Sequence, residues 1–314
     1  MELPNTKIRS VLPGTPQSGS PANLIQAWSG GTVDTTRSRL LVWGGGHMDY
    51  AGNEMYALDL ATLSIKRIVE PSPVSSQASC ASALPDGMPA SRHTYDGLTY
   101  AAHVDKFYAT AGSLSTCGAG DPATWTYDFT ANKWSMAMAK SPMQTYYGTM
   151  AAYDPATKLV YIKDQEGFYS YAAETNTYKK LGSDFADYHL SAAIDTKRRK
   201  FVILGNGVQV IDMVNYSMKT MATTNAPSLV TGAGSPGVAY DPVADRIVAW
   251  SGGGNVYALN MDTGVWSQVS TNPGPTAAAP VQGTFGRWGY VPQYNVFALI
   301  NDIDQNAWVF RLAR

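Results

Sequence analysis

The side chains of this chain that could move protons or neutralise charge near neutral pH are few and unevenly placed. Its four histidines are His47, close to Asp49 and Tyr50; His93, between Arg92 and Tyr95; His103; and His189, beside Tyr188. Tyr146-Tyr147 and Arg287-Trp288 form further pairs, and Trp28 stands apart. A His with a Tyr as acid and base, and an Arg to neutralise a carboxylate, would suit β-elimination on a uronic acid polymer. It would equally suit epimerisation or hydrolysis of a sugar, given groups within hydrogen-bond reach and suitable pKa values. His93, His189, Tyr147 and Arg92, with Arg287 as the alternative guanidinium, are the candidate catalytic set. The same residue types also make a recognition surface, because aromatic rings with planar Arg and His supply stacking platforms and donors for glycans or peptides. Trp28, His47, Asp49, Tyr50, Tyr95, Tyr146, Tyr188, Arg287 and Trp288 are the candidates for that role. The plainest alternative is that each His caps a loop or satisfies a buried carbonyl.

Metal chemistry has less support in the sequence. His47-Met48-Asp49 offers two ligands that His93 and His189 would have to complete from elsewhere, without the fixed offsets of a zinc motif. Neither a metal nor a cofactor is therefore expected. Asn301-Asp302-Ile303-Asp304-Gln305-Asn306 lacks the length, Gly and distal Glu of an EF-hand loop and reads as a polar loop. Gly44-Gly45-Gly46 and Gly252-Gly253-Gly254 open no helix, so they are turn glycines and not a phosphate cradle.

The elements that must position these residues come from a repeat. Six times, a strand-like run anchored by Val33, Tyr100, Tyr153, Ile194, Tyr240 or Tyr290 passes through a polar turn into a second hydrophobic run. Behind five of these units lies a second pattern, in MYALDLATLSIKRI, TWTYDFTANKWSMA, FYSYAAETNTYKKL, VQVIDMVNYSMKTM and VYALNMDTGVWSQV. Asp59, Asp128, Ala172, Asp212 and Asn260 share one position there, and Ile65, Trp134, Tyr178, Met218 and Trp266 come six residues later. Alternating apolar residues on both sides of a polar turn describe a hairpin of half-buried strands. The Asp or Asn starts the turn, and the large residue packs between neighbouring sheets. One unit alone cannot bury both faces of its small sheet, so the units must stack. Four strands per unit, arranged radially, make an all-β, six-bladed β-propeller.

The Gly-Gly pairs, the runs Asn53-Glu54-Met55-Tyr56-Ala57-Leu58-Asp59 and Asn255-Val256-Tyr257-Ala258-Leu259-Asn260, and the Trp six residues on resemble Kelch repeats. Units three and four keep only the strand pattern. The resemblance implies a single propeller domain, 1–314, with blades near 22–74, 75–141, 142–184, 185–225, 226–272 and 273–314. The sixth stops short, and residues 1–13, through Thr6–Pro13, are expected to supply its outer strand. Closure of this kind removes exposed sheet edges.

Propeller geometry sorts residues by face. Links into first strands and loops between second and third strands share one face, the top. The first turns lie opposite. Trp28, His47, Asp49, Tyr50, Arg92, His93, Tyr95, Tyr146, Tyr147, Tyr188, His189, Arg287 and Trp288 thus gather at the top, and His103 on the far face. Cys80 and Cys117 fall in two top-face loops of blade two, close enough for a disulfide.

Bulk properties narrow the partners. With 15% charged residues and a net charge of −1, the surface lacks the Lys/Arg field that nucleic acid binding needs. Lys197-Arg198-Arg199-Lys200 reads as a solvated turn. No run approaches the roughly 18 apolar residues of a membrane span, and the start, MELPNTKIRSVLP, shows no signal peptide. An extracellular or virion setting is favoured if the disulfide forms, and a cytoplasmic one otherwise. The reading as a whole is a binding or assembly module meeting a glycan or protein at the top face, able to join a larger particle. A carbohydrate-active lyase or epimerase is the alternative.

Overall fold

The computed structural model describes residues 1–78, 80–228, 234–271, 273–275 and 279–312. The expected junction between blades five and six, at 272, falls outside them. Among the described residues, five four-stranded antiparallel sheets and one three-stranded sheet form six blades around a channel, with an extra two-stranded ribbon on top. The chain enters each blade on the inside, through Gly31–Asp34, Leu98–Ala101, Met150–Asp154, Ser191–Asp195, Gly237–Asp241 and Trp288–Val291. Each inner strand packs on the next, and the last returns to the first. Among the described residues no helix is long and apolar enough to cross a membrane.

Local chemistry explains the hairpins. The side-chain oxygens of Asp59, Asp128, Asp212 and Asn260 each accept two backbone N–H groups from the turn that follows. The large residue six positions on lies opposite an apolar residue of the third strand, as in Trp134 with Tyr127 and Trp266 with Leu259. Tyr100, Tyr127, Tyr171, Tyr240 and Tyr290 follow a second rule. Each donates its hydroxyl to an Asp or Asn five residues ahead. Those acceptors, Asp105, Asn132, Asn176, Asp245 and Asn295, all have positive φ, a backbone region Asn and Asp tolerate better than most residues.

The core is divided among the blade interfaces. Trp43 and Trp134 meet at 5.2 Å between blades one and two. Trp266 lies between blades four and five, and Trp250, Trp288 and Phe297 between five and six. Leu3 and Ile8 join the cluster between blades six and one. Burying such side chains is worth about 1.5–3 kcal/mol each, and that is what holds sheets too small to be stable alone.

Two expectations need correction. The N-terminus does complete blade six, but through residues 1–3 and not Thr6–Pro13. Glu2 bridges Trp308, Leu3 N–H donates to Ala307 at 2.8 Å, and Val309 N–H donates to Met1 at 2.9 Å. Ile8–Val11 instead turn as a 3-10 helix that plugs buried Ile8 against the core. The basic run is also no free turn. Arg198 pairs with Asp195, Asp245 and Asp262, and Arg199 with Asp154, so the run clamps blade four to blades three and five.

Candidate functional site

A repeated backbone feature builds the top-face mouth. Trp28, Tyr95, His189 and Phe285 each stand five residues before an inner-strand anchor, and all four have positive φ, between 46° and 62°. Gly148 holds the same place in blade three, with φ 63°. The left-handed region costs a non-glycine residue about 1–2 kcal/mol. Here it turns each side chain inward, toward the channel axis. Tyr95 stacks on His189 at 5.5 Å and meets Phe285 edge-on at 6.2 Å, while Trp28 lies 5.7 Å from His189. Tyr95 and Phe285 are buried and form the floor of the mouth. Trp28 and His189 are partly open above it, and Tyr188 and Tyr147, 46% and 40% exposed, rise beside it.

Beneath the floor, Asp96 ties blades together. Its carboxylate accepts the backbone N–H of Ala192 at 2.8 Å and that of Gly286, and its carbonyl accepts from Ala151. Burial pushes its carboxyl well above the usual carboxylate range. Below it, an apolar cavity of about 420 Å³ opens toward the far face between Leu98, Ala152, Ala193 and Val238.

One wall of the mouth carries a chain of polar groups. His93 lies in the ribbon formed by Arg92–His93 and Ser113–Leu114. His47 and Asp49 lie in the loop after Gly44–Gly46. His93 Nε2 is 3.1 Å from Asp49 Oδ2, and His93 Nδ1 is 3.1 Å from His47 Nδ1. The close approach requires Gly46, since a Cβ there would sit 2.6 Å from the His93 ring. Burial holds the His93 imidazole down at about 4, its contact with Asp49 opposing the shift and His47 adding to it. Burial also lowers the pKa of His189. Ligand atoms of His47, Asp49 and His93 all lie within 4.8 Å of one another, the set among the described residues able to converge on a metal ion.

Cys80 and Cys117 are joined by a disulfide, with Cα atoms 5.6 Å apart. It pins the 113–120 loop beside the mouth, where Gly118 borders the His47 ring and accepts the Tyr147 hydroxyl at 3.2 Å.

Four sequence candidates belong elsewhere. Arg92 is fully buried and pairs with Asp121, also donating to Ala90 and Ala111. Arg287, likewise buried, donates to the carbonyls of Ser29, Ile25, Gly283 and Ile300 at 2.6–3.0 Å. Burial pushes its pKa down to about 9, still charged at neutral pH. Trp288 fills the core between blades five and six. Tyr50 is buried and gives its hydroxyl to Glu54 at 2.6 Å. These polar residues sit where loops would otherwise leave carbonyls or carboxylates unpaired, a need that residue type alone does not reveal. Tyr146 is half-buried and packs on Gly120 at the edge of the mouth. His103 stacks on Tyr153 away from the other three histidines. Residue type did not single out Phe285, although its place five residues before Tyr290 matches that of Trp28, Tyr95 and His189.

The architecture defines an all-β protein of the six-bladed propeller class. It is similar to the solved structure of YjhT, with a TM-score of 0.58 at 12% identity over 93% of this chain and 94% of that one. No family model and no curated protein matches the sequence.

Proposed function

We propose that the protein is a binding module that recognises an uncharged saccharide at the top-face mouth. The observation that carries this reading is the collar of inward-turned aromatics, Trp28 and His189 flanked by exposed Tyr147 and Tyr188, over a floor of Tyr95 and Phe285. Aromatic faces stack on the C–H faces of sugars, while imidazoles and Asp49 supply donors and acceptors for hydroxyl groups. Because Arg92 and Arg287 are buried and engaged, neither reaches the mouth to neutralise a uronate, which favours an uncharged ligand. The repeats fit a Kelch-type propeller, and the disulfide supports a setting outside a reducing cytosol, including that of a particle component.

A second reading, a sugar-acting enzyme such as an epimerase or lyase, has one observation in its favour. Asp49, His93 and His47 are in line, as an orienting group and its bases would be.

A glycan array, followed by titration of the best ligand, tests the proposal. Trp28→Ala and Tyr188→Ala are each expected to weaken binding roughly tenfold, equivalent to about 1.4 kcal/mol. Binding to no glycan, with a protein partner held at the same face, would overturn it. Time-dependent change of the bound sugar, lost in His47→Ala, would establish the enzymatic reading.

A further inference from the structure

We infer that His47 and His93 form a site for a divalent transition metal, with Asp49 as the group that orients His93. Nothing in the saccharide reading requires this site. It rests on how the ring nitrogens face one another.

Each imidazole turns its Nδ1 toward the other across 3.1 Å. The opposite nitrogen of His93, Nε2, meets the Asp49 carboxylate at 3.1 Å. A carboxylate accepts only, so it fixes the N–H of His93 on Nε2 and leaves Nδ1 as a bare lone pair aimed at His47. The Nδ1 of His47 therefore has two uses in that position. It can donate its own proton across the gap, or it can shed that proton to Nε2 and share a cation with His93. The spacing suits the second use. Two nitrogens at about 2.0–2.1 Å from a tetrahedral ion lie about 3.3 Å apart, so the rings need to part by only a few tenths of an ångström. A carboxylate on the far nitrogen of a ligating histidine is also the usual arrangement that sets its tautomer and raises its basicity.

The surrounding chain holds both rings in place. Gly46 lets the backbone lie against the His93 ring, and Gly118, next to disulfide-bonded Cys117, borders His47. His93 is buried, while the side of His47 is open to solvent. The remaining coordination positions would thus face the mouth and be filled by water or by a ligand's oxygen atoms. Two imidazoles without thiolates favour Zn²⁺, Ni²⁺ or Cu²⁺ over Mg²⁺ or Ca²⁺, with Cu²⁺ expected to bind most tightly. The motif escapes a sequence search because its ligands come from two blades, 46 residues apart.

Isothermal titration of untagged protein with Zn²⁺, checked by elemental analysis after dialysis, tests the site. One ion per chain is expected, with a rise in melting temperature. His47→Ala, a change in an accessible loop, should abolish both effects. Asp49→Asn should weaken affinity about ten- to a hundredfold, and nitrogen-15 spectra should show both Nδ1 atoms metallated. His93→Gln serves as a further variant, and its circular dichroism checks the fold. Absence of saturable one-to-one binding, or equal binding by wild type and His47→Ala, would overturn the inference. Saccharide binding is measured separately, with and without chelator, so that failure of the metal site and failure of the saccharide reading are told apart.

Discussion

At the scale of single residues, types that looked interchangeable divide by burial. Arg92 and Arg287 share a type and a face with the mouth residues, yet both are fully buried and tie loops together. Arg287 supplies donors to four carbonyls from the link into blade one and from blade six, so it acts at the seam of the ring. Arg287→Leu should cost about 3–5 kcal/mol, because acceptors left unpaired in a buried site pay their full desolvation. Tyr188→Ala, at an exposed position, should change stability by no more than about 0.5 kcal/mol. Urea denaturation of the two variants makes the comparison, and a small effect in Arg287→Leu would show that its four hydrogen bonds do not hold the seam.

At the scale of elements, the blade two insert decides how well the mouth is formed. Its disulfide closes a loop with a sequence separation of 37, worth roughly 4 kcal/mol in the chain-entropy model. The Cys80→Ser/Cys117→Ser double variant should lose about that much on thermal unfolding. The saccharide binding proposed for the mouth should also weaken, since the loop bordering His47 and Tyr147 loses its staple. An unchanged affinity would mean the loop is held by its hydrogen bonds alone.

The hairpins themselves were readable in the sequence, because Asp59, Asp128, Asp212 and Asn260 repeat at a fixed offset from large apolar residues, and both partners act locally. The blade six seam was not. Thr6–Pro13 resembles a fourth strand in composition, but Ile8 gains more by entering the core between blades six and one than by pairing at an edge. The convergence of Trp28, His93 and His189 at the top was legible once the blades were counted. The burial of Arg92, Arg287 and Tyr50 was not, because it depends on which carbonyls and carboxylates the loops leave unpaired. That of Trp288 was not either, because it depends on the packing of blade five against blade six.

At the scale of the whole molecule, carboxylates and guanidiniums on the far face join the blades that apolar clusters join within. Neighbouring Arg, Lys or backbone N–H groups hold the carboxyls of Asp105, Asp154, Asp245 and Asp262 below their ordinary range. Groups shifted in that direction contribute stability that is complete above the unfolded value, near 3.8, and lost as pH falls through the folded value. Melting temperature should therefore drop steeply below about pH 4. The drop should be shallower in Arg198→Gln, which removes the partner shared by Asp195, Asp245 and Asp262. Parallel acid limbs for the two proteins would show that the clamp does not govern acid unfolding.

The left-handed collar sets durability against recognition. Glycine at positions 28 or 189 would relieve the backbone and, at these partly open places, leave little void behind. It would also erase the surface on which the proposed saccharide would rest. A lineage selected for heat resistance alone should therefore lose its aromatic lip before its core, and keep a sturdier ring that no longer holds anything.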